Sequence, residues 1–130
     1  MMSDTLTIRE MCDAYQVTPR TLRFYEAKEL IAPIRQGAKR LYCKRDRARL
    51  QLILRGKRFG FSLEDIRQLL DMYENNGSNA AQLKRTLLLA RDRIAQMKAQ
   101  AAELTIAIKE LEAEMRGVDA RLKAFRKAAE

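Results

Sequence analysis

The sequence predicts a mainly α protein: a small head of short helices with one β-hairpin, followed by a single long coiled-coil helix. Three observations carry this. The 130 residues include 5 Gly and 2 Pro, too little turn chemistry for a many-stranded sandwich or barrel. In the first half, apolar residues recur at helical spacing in short runs bounded by capping residues. In the second half they recur at heptad spacing without a break. Between the halves lies Asn75-Asn76-Gly77-Ser78-Asn79, the only stretch dense in turn formers. The expected organisation is therefore a compact head over 1–74, a linker over 75–79 and a long helix over 80–130.

The first helix is expected from Thr7, an N-cap whose capping-box partner Glu10 stands three residues on, with Ile8, Met11 and Cys12 on one face. Thr18 followed by Pro19 starts a second helix, since proline at the first helical position lacks only an N–H that would be unpaired there. Two helices across so short a turn form a helix-turn-helix candidate. The second helix carries Thr18, Arg20, Thr21, Arg23, Phe24 and Tyr25 near its N-terminal half, the part of a recognition helix that enters the major groove. An ordinary surface helix with Leu22 and Phe24 or Tyr25 turned inward gives the same pattern.

Ile31–Arg35 and Lys39–Tyr42, around a polar turn at Gln36-Gly37-Ala38, predict a small hairpin. With Arg35, Lys39, Arg40 and Tyr42 it would be a wing able to lie against phosphates. A third helix is expected from Lys44 to Phe59, stopped by Gly60 at C′, with Leu50, Ile53 and Leu54 as its core stripe. A fourth, capped by Ser62, would bury Ile66, Leu69, Leu70 and Tyr73.

The long helix shows two interleaved series. Leu87, Ile94, Ala101, Ile108, Met115 and Leu122 recur every seven residues, and Ala90, Met97, Leu104, Leu111, Val118 and Phe125 follow each by three. This is an a/d seam over six repeats, too long to be buried within so small a domain, so an identical chain is the simplest partner. A monomeric helical hairpin would need a break, and Gly117 lies too near the end to supply a useful one. The flanks are mostly cationic in the first half (Arg91, Arg93, Lys98) and mostly acidic around Glu112, Glu114 and Asp119, which favours antiparallel pairing.

Charge narrows the function. There are 26 Lys and Arg against 17 Asp and Glu, a net charge of +9, which points to a polyanionic partner: DNA, RNA or an anionic surface. Between Arg35 and Arg58 ten basic residues face one acid, Asp46; this window, including Lys57 and Arg58, reads as a nucleic-acid face. With no His there is no imidazole base, Ser-His or Cys-His nucleophile, or imidazole metal ligand. Cys12 and Cys43 form no CxxC, so no catalytic residue, metal site or cofactor is expected, and the thiols read as reduced. No apolar run approaches the ~20 residues of a membrane span and the N-terminus lacks signal-peptide character, so the expected location is cytoplasmic with no membrane partner.

Thr18-Pro19-Arg20-Thr21-Leu22-Arg23-Phe24-Tyr25-Glu26, Leu30-Ile31-Ala32-Pro33-Ile34-Arg35, Lys39-Arg40-Leu41-Tyr42 and Gly60-Phe61-Ser62-Leu63-Glu64-Asp65-Ile66 together resemble the MerR family of bacterial transcription regulators. The resemblance implies a winged helix-turn-helix that binds each half of a pseudo-palindromic site on double-stranded promoter DNA, and an antiparallel coiled coil that makes the homodimer. It further implies that the dimer bends and untwists an overlong promoter spacer, so that RNA polymerase is met through the promoter. Four positions depart from the family pattern. Gln16 and Glu29 stand where glycine is usual, at places expected to need φ > 0; Phe24 replaces a common Tyr; and Cys43 is a poor cap where Ser or Thr is usual. The family's metal and redox sensors use cysteines beyond the coil, and its multidrug sensors append a further domain. Neither pattern is found among these residues, which leaves the effector, the operator and the sign of regulation open. The competing reading is a coiled-coil architectural or adaptor protein whose basic head binds nucleic acid without sequence choice.

Overall fold

The structure is a computed structural model and describes residues 4–74 and 80–130; the expected linker, 75–79, lies outside them. The elements are β1 (Leu6–Thr7), α1 (Ile8–Tyr15), α2 (Pro19–Ala27), β2 (Ile34–Gln36), β3 (Lys39–Tyr42), α3 (Lys44–Arg58), α4 (Leu63–Glu74) and α5 (Ala80–Ala129). Contacts divide the chain into Met1–Leu89 and Ala90–Glu130.

In the first unit α1, α2 and α4 begin where their caps predict. Thr7 Oγ1 accepts from Glu10 N at 3.2 Å while Glu10 Oε1 accepts from Thr7 N at 2.9 Å, completing the capping box of α1. Thr18 Oγ1 accepts from Thr21 N at 3.2 Å, with Pro19 at the first turn of α2. Ser62 Oγ accepts from Asp65 N at 3.1 Å before α4. At α3 there is no side-chain cap: Cys43 makes none, and its thiol instead donates to Asp46 Oδ2 at 3.6 Å. Gly60, at φ +82°, follows the end of α3 as its stop signal requires.

Met11, Leu22, Tyr25, Leu30, Ile31, Tyr42, Leu50, Ile53, Ile66 and Leu70 form the core, so α1, α2, α3, α4 and the base of the hairpin converge on one cluster. Two expectations need correction. Tyr73, assigned to the buried face of α4, is exposed. The hairpin is shorter than expected: Ile31 is a core residue, strand pairing starts at Ile34, and the turn is Gly37-Ala38 with Gly37 at φ +61°. A third strand went unanticipated, because two residues are too few to show alternation. β1 pairs with β3 (Leu6 with Tyr42, Thr7 with Leu41), giving the sheet order β1-β3-β2.

At Gly56 α3 lies tightly against α4. This glycine is buried, and a Cβ there would stand 2.8 Å from Ile66 Cγ1.

Gln16 and Glu29 do adopt the left-handed backbone expected at glycine positions, with φ of +56° and +60°. An L side chain there is strained by roughly 1 kcal/mol, partly offset by the lower unfolded-state entropy of a non-glycine residue. Gln16→Gly and Glu29→Gly should each stabilise the head by up to about 0.5 kcal/mol, raising Tm by at most about 2–4 °C in calorimetry.

In the second unit α5 continues as helix through Gly117 to Ala129. None of its residues is buried, and the large side chains of the predicted seam are 41% (Met97) to 72% (Phe125) exposed in the single chain. Among the described residues no helix is long and apolar enough to cross a membrane.

Candidate nucleic-acid interface

Leu22 and Tyr25, three residues apart, share the face of α2 that packs into the core. The opposite face therefore presents Arg20, Arg23 and Phe24 to solvent, with Thr18 exposed and Thr21 half-buried beside it. The Phe24 ring is held edge-on to Tyr25 at 5.6 Å, with Lys28 Nζ 5.7 Å from its centroid. Arg20 and Arg23 make no ion pair with any described residue, so their guanidinium groups are available to an external anion or base edge. Lys39, Lys57 and Arg58 are likewise exposed and unpaired.

Two of the expected contacts are placed elsewhere. Tyr25 is 5% exposed, turned into the core with Leu22 by helical periodicity. Tyr42 is fully buried, and its hydroxyl has no hydrogen-bond partner among the described residues. Strand alternation puts Arg40 and Tyr42 on one face of β3, and that face packs on the head: Tyr42 enters the core while Arg40, nearer the turn, reaches α2. Burial also raises the Tyr42 pKa, keeping the phenol neutral.

The basic window is also less free than its sequence suggests. Arg35 Nη2 pairs with Glu26 Oε2, and Arg40 Nε donates to Glu26 Oε1 at 2.8 Å. Arg45 Nε and Arg49 Nη1 both donate to Glu74 Oε1, at 3.0 and 2.9 Å. Arg49 is 7% exposed and its Nε donates to Leu30 O at 2.6 Å, so it ties the α2–β2 connection to α3 and belongs to the scaffold. Asp46, 1% exposed, accepts from Ala32 N at 3.0 Å and fixes the same connection. Glu26 and Glu74 were missed because the counter-charges lie outside the basic stretch in sequence. The signal available was the improbability of ten like charges on so small a surface without compensation.

These pairs set a pH dependence. Burial pushes the Glu26 carboxyl up, but the hydrogen bonds and charges of Arg35 and Arg40 more than reverse this; the hydrogen bond from Arg45, against a smaller burial effect and with help from Arg49, likewise holds Glu74 below its ordinary 4.5. Both groups are more acidic folded than unfolded. Their stabilisation is thus complete above the unfolded value and is lost as pH falls through the lower folded values. Urea midpoints should drop between about pH 5 and 3, and the drop should shrink in Glu26→Gln/Glu74→Gln.

Known proteins match this arrangement. Residues 6–73 match the family described as MerR HTH family regulatory protein, and residues 47–113 match that described as MerR, DNA binding. The chain belongs to the MerR family. It is a DNA-binding regulatory protein of that family, sharing 33% identity over 99 residues with the HTH-type transcriptional regulator ZntR of Escherichia coli K12, 75% of this chain and 69% of that one. It is 31% identical over 101 residues to the regulator HmrR of Rhizobium leguminosarum bv. viciae, covering 77% and 76% of the two chains. Among solved structures it is similar to HiNmlR, described as a MerR family regulator lacking the sensor domain and bound to promoter DNA (TM-score 0.60, 25% identity, 81% and 79% covered). It is also similar to PbrR691 of Ralstonia metallidurans CH34, solved with lead(II) (TM-score 0.63, 27% identity, 89% and 86% covered). These relatives are regulators, not enzymes. Among the described residues of this MerR protein, no three His, Cys, Asp or Glu side chains gather as a metal-holding group. Burial and then the neighbouring Asp13 raise the Cys12 thiol pKa.

Proposed function

We propose that the protein acts in the cytoplasm as a homodimer on a pseudo-palindromic promoter site, each head gripping one half-site, and controls transcription by bending and untwisting the DNA between them. The observation that carries this reading is the pair of exposed, unpaired arginines, Arg20 and Arg23, on the outward face of α2 beside Phe24. In a helix-turn-helix that face enters the major groove, where arginine can fork to guanine. Thr18 and Thr21 suit phosphate contacts at its N-terminal end. Lys39, Arg35 and Arg40 of the wing, with Lys57 and Arg58 at the end of α3, suit flanking phosphates. The exposed seam of α5, from Leu87 to Phe125, supports pairing with a second copy. HiNmlR bound to promoter DNA supports a similar docking here.

The test compares affinity for the gene's own upstream region with that for random duplex. A promoter-specific regulator should show a ratio of at least ~10³ at physiological salt; equal affinities would favour the non-specific adaptor. Arg20→Ala and Arg23→Ala should each cost about 1–3 kcal/mol on the cognate site and relax preference at one position, without loss of helix content. Unchanged affinity and sequence preference in both would remove α2 from the groove.

A further inference from the structure

Arg35 and Arg40 are directly opposed on β2 and β3, a like-charge pair that by itself would push the two wing strands apart. One carboxylate resolves the conflict: Glu26, on the recognition helix, gives Oε2 to Arg35 and Oε1 to Arg40. Its side chain is 20% exposed and that of Arg40 22%, so the bond to Arg40 lies largely out of water, where it is screened least. Each arginine spends one N–H on Glu26, and a guanidinium has five, so both keep donors for a second, external anion.

We propose that Glu26 is a positioning residue for DNA binding: it fastens the wing to the recognition helix through Arg35 and Arg40, so that the groove-reading face of α2 and the phosphate-gripping guanidinium groups meet the duplex in one fixed register. The inference rests on the promoter-binding reading above. Its consequence runs against simple electrostatics. Removing an acid from a protein that binds a polyanion should tighten binding to every duplex and steepen the salt dependence. Loss of a positioning residue should instead weaken cognate binding, because the arginines must then be ordered at the moment of docking.

The experiment uses the full chain and two duplexes, the upstream promoter region and a random sequence, titrated across a salt series. In Glu26→Gln, which keeps size and loses charge, promoter affinity should fall about tenfold while random-duplex affinity holds or rises, so the specificity ratio contracts. In an Arg35→Gln/Arg40→Gln background the same substitution should change promoter affinity less than twofold, since there is nothing left to position. Glu26→Asp should recover part of the ratio. Circular dichroism and thermal melts on the same samples separate misfolding from misplacement; if Glu26→Gln does not fold, Glu26→Asp alone must still contract the ratio. Tighter binding to both duplexes, or an equal effect of Glu26→Gln in both backgrounds, would overturn the role of Glu26 and leave promoter binding standing. A wild-type ratio near one would overturn promoter binding itself, and the positioning role with it.

Discussion

Ile108→Asp is expected to abolish dimerisation and promoter binding together. Ile108 sits mid-seam on α5 and is 51% exposed in the single chain, with Leu104, Leu111 and Met115 exposed around it. None of the described residues of α5 is buried in the single chain, so burial of this stripe is expected to come from a partner. An antiparallel two-fold pair would bring the seam of each copy against the other, and the substitution would place a carboxylate in the apolar interface twice. Burying an unpaired charge costs several kcal/mol per site, comparable with the whole association energy of a modest coiled coil. Each released head would grip one half-site through few phosphates and lose the spacing that the dimer imposes. Sedimentation should show a monomer, and affinity for the upstream region should fall by at least about 100-fold on the same sample. A monomer that binds with wild-type affinity would show that α5 contributes nothing to promoter recognition.

The second large effect is expected at Gly56. A leucine there must find room where even a Cβ would lie 2.8 Å from Ile66 Cγ1. Cγ1 is not the free end of the isoleucine, and Ile66 is itself fully buried, so relief requires α3 and α4 to move apart. Overpacking of this kind costs about 1–3 kcal/mol, and separating two core helices raises it towards the upper end. Gly56→Leu should lower the Tm of the head by about 10–20 °C. Gly56→Ala places a Cβ that helix propensity favours against a contact that it does not, and should lose less. Pairing it with Ile66→Val, which leaves Cδ1 out of the crowded space, should recover part of the loss. A Gly56→Leu protein as stable as wild type would mean that the two helices are not in contact at this point.

Most of the fold was legible because its signals are local. Thr7, Thr18 and Ser62 announce helix starts through bonds spanning three residues, and Gly60 announces a stop through its own backbone. The seam of α5 repeats often enough to be read without any tertiary knowledge. What escaped was non-local. The strand Leu6–Thr7 has meaning only through its pairing with Leu41 and Tyr42, some 35 residues away. The interface was legible to the same extent. Helical periodicity separates Arg20, Arg23 and Phe24 from Leu22, yet the choice between Phe24 and Tyr25 as the inward aromatic depends on where the core lies. The arginines of α3 look alike in sequence, but Arg49 is buried against Leu30 and Glu74 while Arg58 is open to solvent. Glu26 and Glu74, with Asp4 beside Lys44, lie before and after the basic window and take up several of its cations, and composition within the window holds no trace of them.

The strand β1 ends on Thr7, and Thr7 is also the N-cap of α1. Sheet and first helix thus share a residue whose backbone is paired to Leu41 while its side chain closes the capping box. Opening one is therefore expected to loosen the other: pulling β3 away from β1 disturbs the start of α1, and fraying α1 loosens the β1 edge of the sheet. The wing is therefore expected to unfold together with the head, not as a flap hung from it. Amides in α1, which precedes the wing in the chain, would then report on whatever the wing holds. Slower hydrogen exchange there when duplex is present would record the grip on phosphate from inside the protein, without a probe on the binding surface.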